Sequence, residues 1–316
     1  MARTSSPSHK TRRRIDYRWL RSDGTPNFAD HIHKAPGDME FLAKKPVVSV
    51  TPTTPVAKAI EIMSDNYRSL IVASNDYLKG LLLATHIIDY LGGGEHYKII
   101  VNKYSYNIYM AFNKENVEHI MEHKPIVAYV DEKLTDVLEK MVIYGIGLLP
   151  VVYHDNRVYG VVSEHDLIKY LQGIVKIGVE ASKIMSSPVI TINSGSTIKS
   201  AMEKIIGNGF RRLPVIEDDQ VIGIVTAMDI VKFFDPRVLF KKIVSSDIRE
   251  ALNKTVDEIM SKELVTVHPN DDLSVVVNKM LDKNVSSALV VDDNMRLLGI
   301  ITERDVLYAL TVKEIK

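Results

Sequence analysis

The 316-residue chain contains no cysteine. That excludes disulfides, thiolate nucleophiles and thiolate metal sites. It has a single tryptophan, and aromatic residues make up only 7% of it. Neither sign of charge predominates, because forty basic residues balance forty acidic ones. A chain balanced in this way is not built as a whole to coat nucleic acid or a membrane surface. No apolar run approaches the ~20 residues of a spanning helix. The N-terminus lacks an apolar stretch of signal-peptide type, and a cytoplasmic location is the expectation. What remains is ordinary globular composition, 46% apolar and 25% charged, at a length that suggests about two domains.

The charge is unevenly placed. Residues 1–36 hold eight Lys/Arg against three Asp, a surplus of five that the rest of the chain cancels. This segment is rich in Ser, Pro and Arg and poor in aliphatics. It reads as a flexible basic tail, free at least to about Asp23.

Beyond the tail the chain repeats itself. Gly80 opens "GLLLATHIIDYL", Gly160 "GVVSEHDLIKYL", Gly223 "GIVTAMDIVKFF" and Gly299 "GIITERDVLYAL". Upstream of each lies a short β-type run: "PVVSV" from Pro46, "PIVAYV" from Pro125, "PVITI" from Pro188 and "LVTV" from Leu264. Between them come a polar turn, a helix with apolar residues at helical spacing and a second strand ending in a hairpin turn. In the third copy Ile198, Met202 and Ile205 share a helix face, Ser196 is placed to cap it, and Gly207 or Gly209 to end it. Each unit is therefore β-α-β-β-α. A unit of ~50 residues is too small to bury a comfortable core alone. Pairing of first with second and third with fourth, sheet to sheet, is the expected remedy. The division reads as a tail 1–36, repeat one over 40–95, a link plus repeat two over 96–173, repeat three over 178–236, and a link plus repeat four over 237–316. The fold class is α/β, in two pseudo-symmetric modules.

Three of the four strand-to-helix junctions carry a hydroxyl and, three residues on, an aspartate: Ser163 with Asp166, Thr226 with Asp229, Thr302 with Asp305. A strand entering a helix presents unpaired backbone N–H groups and the positive end of the helix dipole, where a phosphate can sit. A hydroxyl adds a donor, and a carboxylate one turn later can accept from the two hydroxyls of a ribose. The same pattern is also a helix capping box, although that motif prefers Glu or Gln where all three copies have Asp. The first copy has Leu83 and His86 at these positions, so its site reads as vestigial.

The ordered recurrence of lead-in, first strand, "LPV" second strand and "GhhTxxD" junction resembles the CBS domain, named after cystathionine β-synthase. It covers about 40–313. Four copies in one chain resemble archaeal stand-alone CBS proteins and the gamma subunit of AMP-activated protein kinase. The resemblance implies two Bateman modules, each a pair of repeats with ligand clefts between them, and ligands that contain adenosine. It implies ribose binding at the aspartates and phosphate binding at the Ser/Thr hydroxyls. It further implies a first-strand hydroxyl facing the ligand, a column that reads Ser49, Ala128, Thr191 and Thr266, and a base before the second strand, which reads Arg68, Gly147, Arg211 and Ser286. Arg211, with Arg212 beside it, is the candidate phosphate contact. On this basis the third and fourth copies have the best sites, the second a possible one.

The expectation is a non-enzymatic regulator that binds AMP, ADP or ATP, with no catalytic cofactor, and acts on a protein partner or through self-association. The competing reading is a nucleic-acid-associated protein that uses the tail, where Tyr17 and Trp19 interleave with Arg. "HIMEH", His119 to His123, formally matches an inverted zinc-protease pattern but falls in a repeat lead-in and reads as exposed helix. His31 and His33 read as solvated, "GGGEH" at Gly92 as the end of a helix, and Tyr104, Tyr106 and Tyr109 as packing of an inserted helix and strand.

Overall fold

The structure, a computed structural model, describes residues 17–30, 32, 39–65, 67–172, 178–313 and 315. Each repeat forms one three-stranded sheet: β1 Ser49–Val50, β2 Ser69–Ser74 and β3 Tyr77–Leu83 in the first; β4 Ala128–Tyr129, β5 Leu148–Val152 and β6 Val158–Ser163 in the second; β7 Ile192–Asn193, β8 Arg212–Glu217 and β9 Gln220–Thr226 in the third; β10 Thr266–Val267, β11 Ser287–Val291 and β12 Leu297–Thr302 in the fourth. In every sheet the first strand runs parallel to the second, and the third runs antiparallel to the second. The first connection is a helix, as a parallel crossover requires. The second is a tight hairpin; Asn75 and Asp76 (φ 50° and 66°) and Asp218 and Asp219 (φ 46° and 63°) take the left-handed conformation of a type I′ turn.

The repeat helices are α1 Val56–Ser64 and α2 Ala84–Ile88, α3 Leu134–Tyr144 and α4 Glu164–Leu171, α5 Ile198–Asn208 and α6 Ala227–Phe233, and α7 Leu273–Asp282 and α8 Glu303–Thr311. In α5 the cap is Thr197, whose Oγ1 accepts from Ser200 N–H at 3.2 Å, one residue after the expected Ser196. Gly209, at φ 67°, ends that helix.

Packing departs from the sheet-to-sheet expectation in emphasis. Sheets of copies one and two do meet, through Ile71, Leu78, Leu81 and Val152, as do those of three and four, through Val221, Leu289, Val291 and Ile300. These are the small cores. The two large ones are built by helices across the modules. One joins copies one and three around Ile60, Ile87, Met202 and Ile230. The other joins two and four around Leu138, Leu167, Val277 and Leu307. A three-stranded sheet offers too little apolar area to hold a pair alone. The four repeats therefore close a ring, one–two–four–three, in which each shares a hydrophobic core with two others.

The tail expectation fails from Arg18 onward. Trp19 is 2% exposed and sits in the copy-two and copy-four core with Phe28 and Ile32. Its ring lies 5.7 Å from Tyr308 and 6.4 Å from Phe28. An aliphatic-poor segment can still dock if its one large ring finds a socket, because a buried indole removes as much apolar surface as several small side chains. Residues 1–16, and with them most of the basic surplus, lie outside the described residues, as do His31 and His33.

Candidate functional site

Each lead-in crosses to the partner copy. Short backbone bridges join Lys44 to Val161, Glu122 to Leu81, Ser186 to Ile300 and Ser261 to Ile224. This explains the recurring glycine. A Cβ at Gly223 would meet Met260 Sδ at 2.5 Å, one at Gly299 would meet Met185 Sδ at 2.4 Å, and one at Gly160 would meet Ala43 Cβ at 2.9 Å. The lead-in therefore belongs to the other copy's cleft, and the columns read along each repeat separately are crossed in space. Ser49 of copy one lines a cavity of about 460 Å³ together with Lys45, Ile71 and Asp76 and with Val158 and Tyr159 of copy two. Lys45 Nζ lies 3.5 Å from the centre of the Tyr159 ring. This volume is within the usual range for a small-molecule site. It lies in the N-terminal module, which the sequence ranks second, and Ser49 is a lining residue that a copy-by-copy reading assigns to the vestigial site.

The junctions are capping boxes and more. Thr226 N–H and Oγ1–H both donate to Asp229 Oδ2 at 2.7 Å. Thr302 does the same to Asp305 Oδ2 at 2.8 and 2.7 Å, and Ser163 to Asp166 Oδ2. The hydroxyl proton is thus directed to the carboxylate, not outward to a phosphate as expected. Only one carboxylate oxygen is used in this way. The second oxygens differ. Asp166 Oδ1 meets Lys44 Nζ at 2.6 Å. Asp305 Oδ1 accepts from Arg18 Nη2 at 2.6 Å and from Ser186 Oγ at 3.3 Å. Asp229 Oδ1 has no hydrogen-bond or ion-pair partner among the described residues. Burial raises the Asp229 pKa against the lowering effect of Thr226 and Lys232. In copy one His86 Nδ1 accepts from Leu83 N–H at 3.2 Å, so the cap survives where the carboxylate does not.

The residues before the second strands converge where the four copies meet. Arg211 Nη2 donates to Glu164 Oε2 at 3.0 Å, and Arg304 Nε to Glu164 Oε1 at 2.8 Å. Arg68 Nη1 lies 3.6 Å from Glu303 Oε1, which also pairs with His165 Nδ1 at 2.9 Å. Arg212 Nη2 donates to Ser286 Oγ at 2.8 Å, which unites two predicted site residues. Gly147 is where it is because a Cβ there would meet Glu164 Oε2 at 2.5 Å and Arg211 at 3.0 Å. Four arginines face two glutamates, and the two glutamate side chains are 2% and 5% exposed. Arg68 and Arg211 keep 49% and 47% of their side chains exposed deep in the assembly, so the cluster lines an opening rather than a packed core. Burial pushes the Glu164 carboxyl up, but Arg304 and Arg211 together hold it below its ordinary value. Burial, then repulsion by Arg211, pushes Arg212 down to about 10. Arg212 is half-buried, and its guanidinium is bonded to the neutral Ser286 hydroxyl, with no carboxylate partner among the described residues.

Thr191 and Thr266 are half-buried, and their carbonyls accept from Lys204 and Lys279 Nζ at 3.0 and 3.1 Å. His119 lies in a short 3-10 turn over Val117–His119 and pairs with Glu115, whereas His123 is beyond it, so "HIMEH" is not one helix face. No group of three or more potential metal ligands occurs among the described residues, and none of their helices is long and apolar enough to cross a membrane. The tyrosine-rich link is two helices, Tyr97–Tyr104 and Ile108–Lys114, not a helix and a strand.

Four sheet-and-helix repeats paired into two modules, with a junction and a foreign lead-in at every cleft, define a tandem-repeat α/β protein. The CBS domain family matches at residues 38–93, 117–173, 181–235 and 256–312, and the chain belongs to that family. Protein MJ1225 of Methanocaldococcus jannaschii is 31% identical over 272 residues, 85% of this chain and 97% of its own length. Its crystal structure, put forward as that of an archaeal homologue of g-AMPK, superposes with a TM-score of 0.81 over 84% of this chain and 97% of that one. A 33.4 kDa protein from the ribosomal RNA operon of Thermofilum pendens is 30% identical over 240 residues, 76% of this chain and 79% of its own. A Pyrococcus horikoshii protein, 18% identical, shares the fold with a TM-score of 0.54 over 86% of this chain and 98% of its own.

Proposed function

We propose that the chain is a non-enzymatic sensor of adenine nucleotides, AMP, ADP or ATP, held in the clefts between paired repeats. The carrying observation is the adjacency of a sugar seat and a phosphate seat. Arg212 and Thr226 are directly opposed across the β8–β9 ladder. One end of the cleft therefore offers the spare oxygen of Asp229, and the other opens towards an arginine cluster with a surplus of two positive charges. The surplus favours a phosphorylated ligand over S-adenosylmethionine, whose sulfonium would meet charge of its own sign. The description of MJ1225 as a g-AMPK homologue supports the same reading. Ligand binding shifts the relative arrangement of modules only through unequal affinity for two arrangements, and the large helix cores between modules are the place where such a shift reaches a partner.

Calorimetry with AMP, ADP, ATP and S-adenosylmethionine tests this on the wild type and on Asp166→Ala, Asp229→Ala and Asp305→Ala. Two or three charge-assisted hydrogen bonds at ~1.5–3 kcal/mol each plus a stacked base predict affinity of about micromolar order. Asp229→Ala removes the largest share of the heat. Heats unchanged in all three variants refute the assignment.

A further inference from the structure

We infer that the fourth cleft is self-occupied: Arg18 of the N-terminal arm holds the ribose position at Asp305, and nucleotide enters that cleft only as the arginine leaves. This rests on the nucleotide reading above.

The three intact junctions differ in what covers the second aspartate oxygen. In the second cleft the cation is Lys44, from the lead-in itself. In the fourth, Ser186 occupies the position equivalent to Lys44, since both bridge the partner's third strand, and a serine brings no charge. The missing cation comes from the arm, 287 residues away in sequence. Arg18 spans both walls of the cleft. Its Nη2 donates to Asp305 Oδ1 on the copy-four side, and its Nη1 donates to the Ile184 carbonyl in the copy-three lead-in at 3.3 Å. Its guanidinium carbon lies 4.9 Å from the centre of the Tyr308 ring. The Nη2 donor stands against the carboxylate where a ribose hydroxyl would, and the guanidinium is held there by the Ile184 carbonyl. In the third cleft, Ser261 occupies the same lead-in position, and Asp229 is left open.

The arm has a second attachment independent of the cleft. Phe28 bridges to Val312, Ala29 N–H donates to the Thr311 carbonyl at 2.7 Å, and Lys313 N–H donates to the Asn27 carbonyl at 3.0 Å. Between the two attachments lies a tight turn around Gly24 (φ 81°), closed by Gly24 N–H to the Arg21 carbonyl at 3.0 Å, Arg21 N–H to the Thr25 carbonyl at 2.8 Å and Asn27 N–H to the Trp19 carbonyl at 2.8 Å. Arg18 lies on the far side of this turn from Asn27 and Ala29, so it can leave Asp305 together with Trp19 while the arm stays tethered at the end of α8. Trp19, the only tryptophan of the chain, reports on this directly.

The test uses the full chain carrying Asp166→Ala and Asp229→Ala, which leaves Asp305 as the remaining junction carboxylate, with and without Arg18→Ala. AMP binding by calorimetry becomes about ten-fold tighter on Arg18→Ala, equivalent to ~1.4 kcal/mol, and Arg18→Lys falls between. Saturating AMP on the Arg18-containing protein shifts Trp19 emission to the red and increases its quenching by acrylamide. Equal or weaker affinity on Arg18→Ala overturns the inference, because Arg18 is then a bystander or a ligand contact. Absence of binding to both proteins, while the wild type binds through Asp229, overturns the self-occupied cleft and leaves the nucleotide reading standing. Absence of binding to the wild type as well overturns both.

Discussion

Asp229 caps a helix at an electrostatic cost. One oxygen caps α6 through Thr226, and the other has no hydrogen-bond or ion-pair partner among the described residues. Burial raises its pKa, so the folded state takes up a proton at this group more readily than the unfolded chain does. Its contribution to stability therefore improves as pH falls through the raised value, and at neutral pH its charge is a net cost. Asp229→Asn keeps an oxygen for the cap and removes the charge. Thermal unfolding at pH 7 without ligand should give a Tm about 1–2 °C above wild type, while the Tm increase produced by AMP at this cleft is lost. A Tm below wild type would show that the carboxylate is there for the fold alone. The hydroxyl–aspartate spacing made this residue legible, because the periodic recurrence of a cap with an unusual acid pointed to something besides capping. Nothing local marked Arg18, whose partner is set by where a distant arm docks, or Glu164, which in sequence is an ordinary acid in the first turn of a helix.

The strand that begins at each repeated glycine is a platform for the partner's lead-in. Both halves of this contact recur in the sequence, as "IM" in three lead-ins and Gly in all four strands. What could not be read is that they meet across copies: periodicity assigns a residue to a face, and not to the neighbour that covers the face. That single omission left unseen that Ser49 of copy one lines a 460 Å³ cavity shared with copy two. The contact also makes a prediction about the strand. Gly223→Val places a branched side chain 2.5 Å from Met260 Sδ and 3.1 Å from the Ser261 carbonyl. Overpacking of this kind costs roughly 1–3 kcal/mol, and it pushes out the segment that walls the third cleft. Chemical denaturation should show that loss, with AMP heat at the third cleft reduced in parallel. Gly195→Ala, at a glycine where an added Cβ meets nothing within 4 Å, is the control and should remain within about 0.5 kcal/mol of wild type. Equal stability of the two variants would mean that the lead-in yields freely and is no wall.

Closure of the ring brings together charges that no single module would tolerate. Glu164 of copy two is gripped by Arg211 of copy three and Arg304 of copy four, and Glu303 of copy four faces Arg68 of copy one. Because the Glu164 pKa is depressed, its stabilising effect is full above the ordinary carboxyl value of 4.5 and is lost as pH falls below it towards the depressed value. Arg212 is different: it is pushed down to about 10 and bonded to a neutral serine, so its charge is partly uncompensated, and on the proposed function an anion would compensate it. Inorganic tripolyphosphate, which has phosphate chemistry without sugar or base, isolates that effect. At constant ionic strength it should raise the wild-type Tm in a saturable way, since a ligand of the folded state stabilises by RT ln(1 + [L]/Kd). Arg212→Met should start at an equal or higher Tm, because an apolar side chain replaces a disfavoured charge, and should gain much less from tripolyphosphate. If the variant instead starts lower and still responds in full, the arginine is a structural strut and the anion binds elsewhere. Coupling follows from the geometry: an anion that competes with Glu164 for Arg211 loosens a bond between copies two and three, which belong to different modules. On the proposed function, filling the centre of the ring would therefore change how its halves are held together.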